Sequence, residues 1–135
     1  MMISELLQYG RYYRDENDSN HIWWFDPIHK QIYQYETLLS MFGYKSQQDI
    51  LDSGMFIPLF ETDILQLERE FVLETQSKKT VRYFNNISDF DLDREFKVFI
   101  EKNFLMKSWM NYEKKHLYQD ALEWCKSNHL TDIFY

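Results

Sequence analysis

Large planar side chains set the terms on which this chain can fold. Eleven Phe, ten Tyr and four Trp make up 19% of its 135 residues. Each such side chain covers about 150–250 Å² when packed away, so the chain needs a thick core or must leave aromatic surface for a partner. Only three glycines and two prolines interrupt it, and 27% of the residues are charged. That composition is globular and not disordered, and the length suits one domain over residues 1–135, which buries roughly two-thirds of the surface of the unfolded chain.

The apolar spacing divides the chain into elements. Ser4 ahead of Glu5-Leu6-Leu7 reads as the cap of a short helix that Gly10 or the polar stretch RDENDSN ends. In HIWWFDPIHKQIYQY two β-prone runs, residues 22–25 and 31–35, flank Asp26-Pro27-Ile28-His29-Lys30, and Asp before Pro opens a turn. A hairpin is predicted. Leu38, Leu39 and Phe42 then share a helical face closed by Gly43, and Ser46 with Asp49 has capping-box spacing for a helix ended by Gly54. Residues 55–60, MFIPLF, read as a connector or edge strand, because Pro58 keeps Ile57 extended.

Three longer helices follow, over about residues 63–75, 88–103 and 108–128. Their stripes are Ile64, Leu67 and Phe71; Phe96, Phe99 and Ile100; and Trp109, Tyr112, His116, Leu117, Ala121, Trp124 and Cys125. Asn128 is the expected left-handed residue at the last helix end. The fold class is α+β: an N-terminal β-hairpin, several helices and a long C-terminal helix.

The single cysteine, Cys125, allows no internal disulfide. On the apolar stripe in a last helical turn, near the negative end of the dipole, it reads as a buried structural thiol and not a nucleophile. The opening MMISELLQYGRYY has neither a basic region nor an apolar run of the kind a secretory leader needs, and no stretch approaches the ~20 apolar residues of a membrane span. The expected location is a reducing cytoplasm. Asn17-Asp18-Ser19 and Asn86-Ile87-Ser88 match the glycosylation triplet, which carries no weight there.

The pattern from Trp109 through Ala121-Leu122-Glu123-Trp124-Cys125 to Asn128-His129-Leu130 resembles the C-terminal signature of the bacterial uncharacterised protein family 0158. FIPLF at residues 56–60 is similar to that family's connector before a helix, and residues 21–35 are similar to its early hairpin. The chain departs from the family in lacking a glycine-x-glycine and Phe-Arg-Arg-Phe-Lys stretch before the tryptophan. The candidate counterparts are residues 77–84, without glycine, or Phe96-Lys97-Val98-Phe99. The resemblance implies an α+β fold and an intracellular bacterial origin, and it implies no activity.

Formal charge is −7, unevenly spread. Residues 1–60 carry eight acids and four bases, 61–96 nine and five, and 97–135 five and six. A chain this acidic repels a phosphate backbone at long range, so nucleic-acid binding needs a local patch. The one available is Lys97, Lys102, Lys107, Lys114 and Lys115 among Phe99, Phe104, Trp109 and Tyr112, which reads either as a solvated helix face or as a single-strand binding face.

Catalytic signatures are missing: no G-x-G-x-x-G, P-loop, G-x-S-x-G or H-E-x-x-H occurs. Asp89-x-Asp91-x-Asp93, and Asp15-x-Asn17-x-Ser19 with Asp26, mimic the opening of a calcium loop but lack its sixth-position glycine, so no metal or cofactor is expected. The expected function is a small acidic interaction module of inhibitor, antitoxin or immunity type that binds a protein with a basic surface. Its candidate binding residues are Glu68, Glu70, Glu74, Asp89, Asp91, Asp93 and Glu95, with Tyr12, Tyr13, Trp23, Trp24 and Tyr33 as aromatic anchors. The alternatives are the single-stranded nucleic-acid face and a small-ligand enzyme using a carboxylate pair that the sequence does not identify. No membrane association is expected.

Overall fold

A computed structural model describes residues 1–13 and 20–135. The segment from Arg14 to Ser19, with the Asn17 triplet and the first calcium-like spacing, lies outside the described residues. The fold is a small α+β domain. A 3₁₀ turn, Ile3–Leu6, runs into helix α1 (Leu7–Gly10) and strand β1 (Arg11–Tyr12), followed by β2 (Trp23–Asp26), β3 (Gln31–Gln34), α2 (Tyr35–Phe42) and α3 (Gln47–Ser53). Then come β4 (Ile57–Pro58), β5 (Thr62–Asp63), α4 (Ile64–Thr75), α5 (Lys78–Asn85), α6 (Asp89–Lys102) and α7 (Met106–Ser127).

The hairpin forms with Trp24 opposite Tyr33 and Asp26 opposite Gln31. Asp26 builds its own turn: Oδ1 accepts from Ile28 N–H at 2.9 Å and His29 N–H at 3.1 Å, and Oδ2 lies 2.7 Å from His29 Nδ1. Lys30 closes the loop at φ 55°. On the other edge of β2 the two residues of β4 pair antiparallel, Phe25 opposite Ile57, so the proline sits on an edge strand where a missing N–H costs least. A separate two-residue parallel pairing joins β1 to β5, Arg11 opposite Thr62.

Helix ends follow local chemistry with two corrections. Ser46, Asp63 and Ser77 accept backbone N–H groups at the starts of α3, α4 and α5. The first turn begins two residues earlier than expected, with Met2 and not Ser4 before it, because the Glu5 carboxylate reaches back to Met2 N–H at 3.0 Å. At the end of α7 the left-handed residue is His129, φ 57°, and not Asn128, whose side-chain amide instead donates to Trp124 C=O at 2.9 Å.

Three apolar clusters fill the interior. One gathers Ile3, Leu6, Phe25, Leu59, Ala121, Trp124, Cys125, Leu130 and Phe134; a second gathers α4, α5 and α6 around Phe71, Phe96 and Trp109; a third joins Trp24, Leu38, Ile50 and Phe56. Helix α7 serves two of them, since its inward side turns from Trp109 in the helical cluster to Trp124 and Cys125 in the first. Cys125 is fully buried, and burial pushes its thiol pKa up.

Candidate functional site

Helix α4 buries Ile64, Leu67, Phe71 and Val72, and that same stripe carries a carboxylic acid, Glu68. Glu68 is 1% exposed, and neither of its oxygens meets an N–H or a hydroxyl. The group it faces is the carboxyl of Asp93, which α6 presents between the buried Leu92 and Phe96. Two carboxyl groups hydrogen-bond only when one holds a proton. Burial first, then Asp93, pushes Glu68 up to about 9, so Glu68 is the protonated partner at neutral pH. Burial also works against the Asp93 charge, but its bonds with Glu68 and Lys97 outweigh that and hold it low.

Cations and a tyrosine close the cluster. Lys97 Nζ lies 2.9 Å from the second Asp93 oxygen, and Arg11 pairs with Glu113 of α7 at 3.2 Å. Arg11 also donates to the Tyr13 hydroxyl at 3.0 Å, and both Arg11 and Lys97 lie 6.0 Å from the Tyr13 ring centre. Burial raises both Tyr13 and Glu113 above their ordinary values. The arrangement holds a proton and fastens β1 to α4, α6 and α7. Each charge in it already faces its opposite, so it offers no free charge to a substrate.

The candidate residues do not share one surface. Glu68 and Trp24 are buried and drop out as binding groups, and Asp93 turns toward Glu68. Asp89 pairs with Arg69 at 2.8 Å, Asp91 with Arg94 at 3.1 Å, and Glu95 accepts from the Tyr83 hydroxyl at 3.4 Å. Glu70 accepts from the Gln66 amide at 3.1 Å. Glu74 faces the Tyr112 hydroxyl, which burial first and then this carboxylate push up to about 12. Tyr33 packs edge-on against Phe42 and Phe56, Trp23 against Tyr9, and Tyr12 is half-buried in β1, so these rings serve packing on the sheet side. Among the aromatic candidates Tyr13 alone is substantially exposed, at 41%.

Two features lie outside the candidate residues. His21 Nδ1 pairs with the Glu61 carboxylate beside a cleft of about 260 Å³ lined by Asn20, His21, Ile22, Gln34, Tyr35 and Glu36. The bond to Glu61 raises the His21 pKa against the opposing effect of burial. The second is Phe90, 94% exposed in the first turn of α6 between Asp89 and Asp91. Its place was readable, for it lies opposite the stripe Leu92, Phe96 and Ile100. So was that of Glu68, which sits within the apolar stripe of α4.

Among the described residues no group of three His, Cys, Asp or Glu is placed to hold a metal ion, and no helix is long and apolar enough to cross a membrane. Compared with protein-family models, curated proteins and solved structures, the chain matches none.

Proposed function

We propose that the chain is a small acidic protein-interaction module, of inhibitor, antitoxin or immunity type, that docks on a basic partner surface. The observation that carries this reading is Phe90, an almost wholly exposed aromatic ring in a first helical turn with carboxylates on both sides. A ring held on a rigid helix supplies an anchor for an apolar pocket, and flanking charges set register and encounter rate. Asp89 and Asp91 flank the ring on either side of it, and Glu95 stands further round the same helix. Arg69 and Arg94 are already paired there, so a basic partner competes with internal cations and the complex is sensitive to salt. The proposal includes a cytoplasmic setting and the kinship with family 0158. The residues that carry that kinship, Trp109, Trp124, Cys125 and Leu130, are core residues here, so it concerns the fold.

The test compares what the tagged chain and its Phe90→Ala and Asp89→Lys/Asp91→Lys variants retain from a bacterial lysate at low and at moderate salt. A basic protein held by the parent chain, shed at moderate salt and lost from both variants is the expected result. Equal retention by all three chains overturns the reading.

A further inference from the structure

Lys107, Lys114 and Lys115 of α7 share one exposed side. Between residues 102 and 119 there are four lysines and one acid, and the acid, Glu113, turns away to Arg11 at 3.2 Å. Lys102, Lys107, Lys114 and Lys115 are all exposed. At 3.6 residues per turn, Lys107, Met110, Lys114, Lys115 and Tyr118 fall within an arc of roughly 140° on α7. Met110 is 60% and Tyr118 43% exposed. At the head of this arc stands Phe104, 94% exposed, thrown outward by a left-handed backbone at φ 57° in the turn between α6 and α7. Of the aromatics expected here from sequence, Phe104 alone stands free. Trp109 is buried in the helical cluster, Phe99 and Tyr112 pack against it, and Lys97 is bound to Asp93.

We propose that this side of α7, with Phe104, binds single-stranded nucleic acid. Lysines neutralise successive phosphates while the free faces of Phe104 and Tyr118 stack on unpaired bases. From Lys107 to Tyr118 the helix runs roughly 16 Å, enough for a short strand. A duplex keeps its bases stacked within itself and gives the two rings nothing to cover. A lipid surface fits worse, because Lys114 lies between Met110 and Tyr118 in the middle of the arc, so inserting the apolar side chains would bury its ammonium. Phe90 opens α6 and Phe104 follows its other end, roughly 20 Å along the helix, so this site is separate from the one proposed above.

The experiment is fluorescence anisotropy of labelled 20-nucleotide oligo-dT and oligo-U with the full chain at about 50 mM salt, alongside sedimentation with vesicles one-third phosphatidylserine. Expected are saturable binding to an oligonucleotide, affinity falling as salt rises, and at least a roughly tenfold loss in Lys107→Glu/Lys114→Glu. Phe104→Ala loses about tenfold with the salt dependence intact, which separates stacking from charge. All substituted side chains are exposed, and circular dichroism verifies that the variants fold. No binding to either oligonucleotide, binding unchanged in the lysine variant, or sedimentation with vesicles without oligonucleotide binding overturns the proposal.

Discussion

The ring of Phe60 lies where a side chain at Gly10 would begin. A Cβ on Gly10 would stand inside the ring's contact distance, at the point where α1 hands over to β1. Glycine is required here by the space available and not by the backbone angle. Phe60 in turn packs on Trp124, so the close approach brings the chain's first helix onto its last. Gly10→Ala is expected to destabilise by about 1–3 kcal/mol, and adding Phe60→Leu is expected to restore part of the loss. Thermal unfolding of the single and double variants checks this. A double variant no more stable than Gly10→Ala refutes it.

Glu68 keeps its proton in the folded chain until about pH 9, but loses it near 4.5 when unfolded. The unfolded state therefore gains stability relative to the folded one as pH rises between those values. Gln at position 68 has no proton to lose, and its amide N–H can donate to Asp93. Glu68→Gln is expected to exceed the parent chain in stability by at least about 1 kcal/mol at pH 8, with the gap closing toward pH 4. Urea titrations at pH 4, 6 and 8 decide it, and a gap that does not vary with pH would show that the carboxyl pair holds no extra proton.

The pairing of His21 with Glu61 has the opposite origin and a narrower window. A histidine whose folded pKa is raised stabilises below the unfolded value of 6.5, and that gain is lost as pH rises through the folded pKa. Both side chains are partly exposed, so the pair contributes below about 1 kcal/mol and less in high salt. Glu61→Gln is expected to lower the melting temperature at pH 5.5 and to leave it nearly unchanged at pH 8.5. A deficit as large at pH 8.5 as at pH 5.5 would assign Glu61 another role.

Cys125 is fully buried beside Trp124, and its pKa is raised. A thiol reagent such as dithionitrobenzoate is expected to leave the native chain unmodified over minutes and to label one thiol per chain in denaturant. Fast labelling under native conditions would contradict a structural thiol.

The hairpin, the closing glycines, the edge proline and the long helices were legible because each is dictated within a few residues. Gly43 and Gly54 take left-handed backbone at φ 77° and 67° where a helix stops, as their positions suggest. Helix α5 was not anticipated. Its sequence, KKTVRYFN, buries Phe84 alone, too little for a stripe, although Ser77 carries the cap. The pairing of Arg11 with Thr62 spans some fifty residues and is two residues long, so nothing local marks it. Charge misled most. Reading carboxylates as a displayed acidic face treats them as independent, whereas Asp91 and Asp93 meet Arg94 and Lys97 one turn on in α6, Asp89 meets Arg69 that folding brings across from α4, and Glu68 lies on the stripe that faces inward.

Because α7 packs its first half against Phe71 and Phe96 and its second against Phe25 and Phe134, it belongs to neither cluster alone. Thr62 Oγ1 donates to Asp120 at 2.6 Å and Trp124 Nε1 to Pro58 C=O at 2.8 Å, fixing the middle and end of the helix to the strands. The backbone amides of the buried Leu117 and Ala121 are then expected to open only when the whole chain does. Their exchange tracks the free energy of unfolding the whole chain, while the exposed amides of α3 and the hairpin loop exchange by local fluctuation.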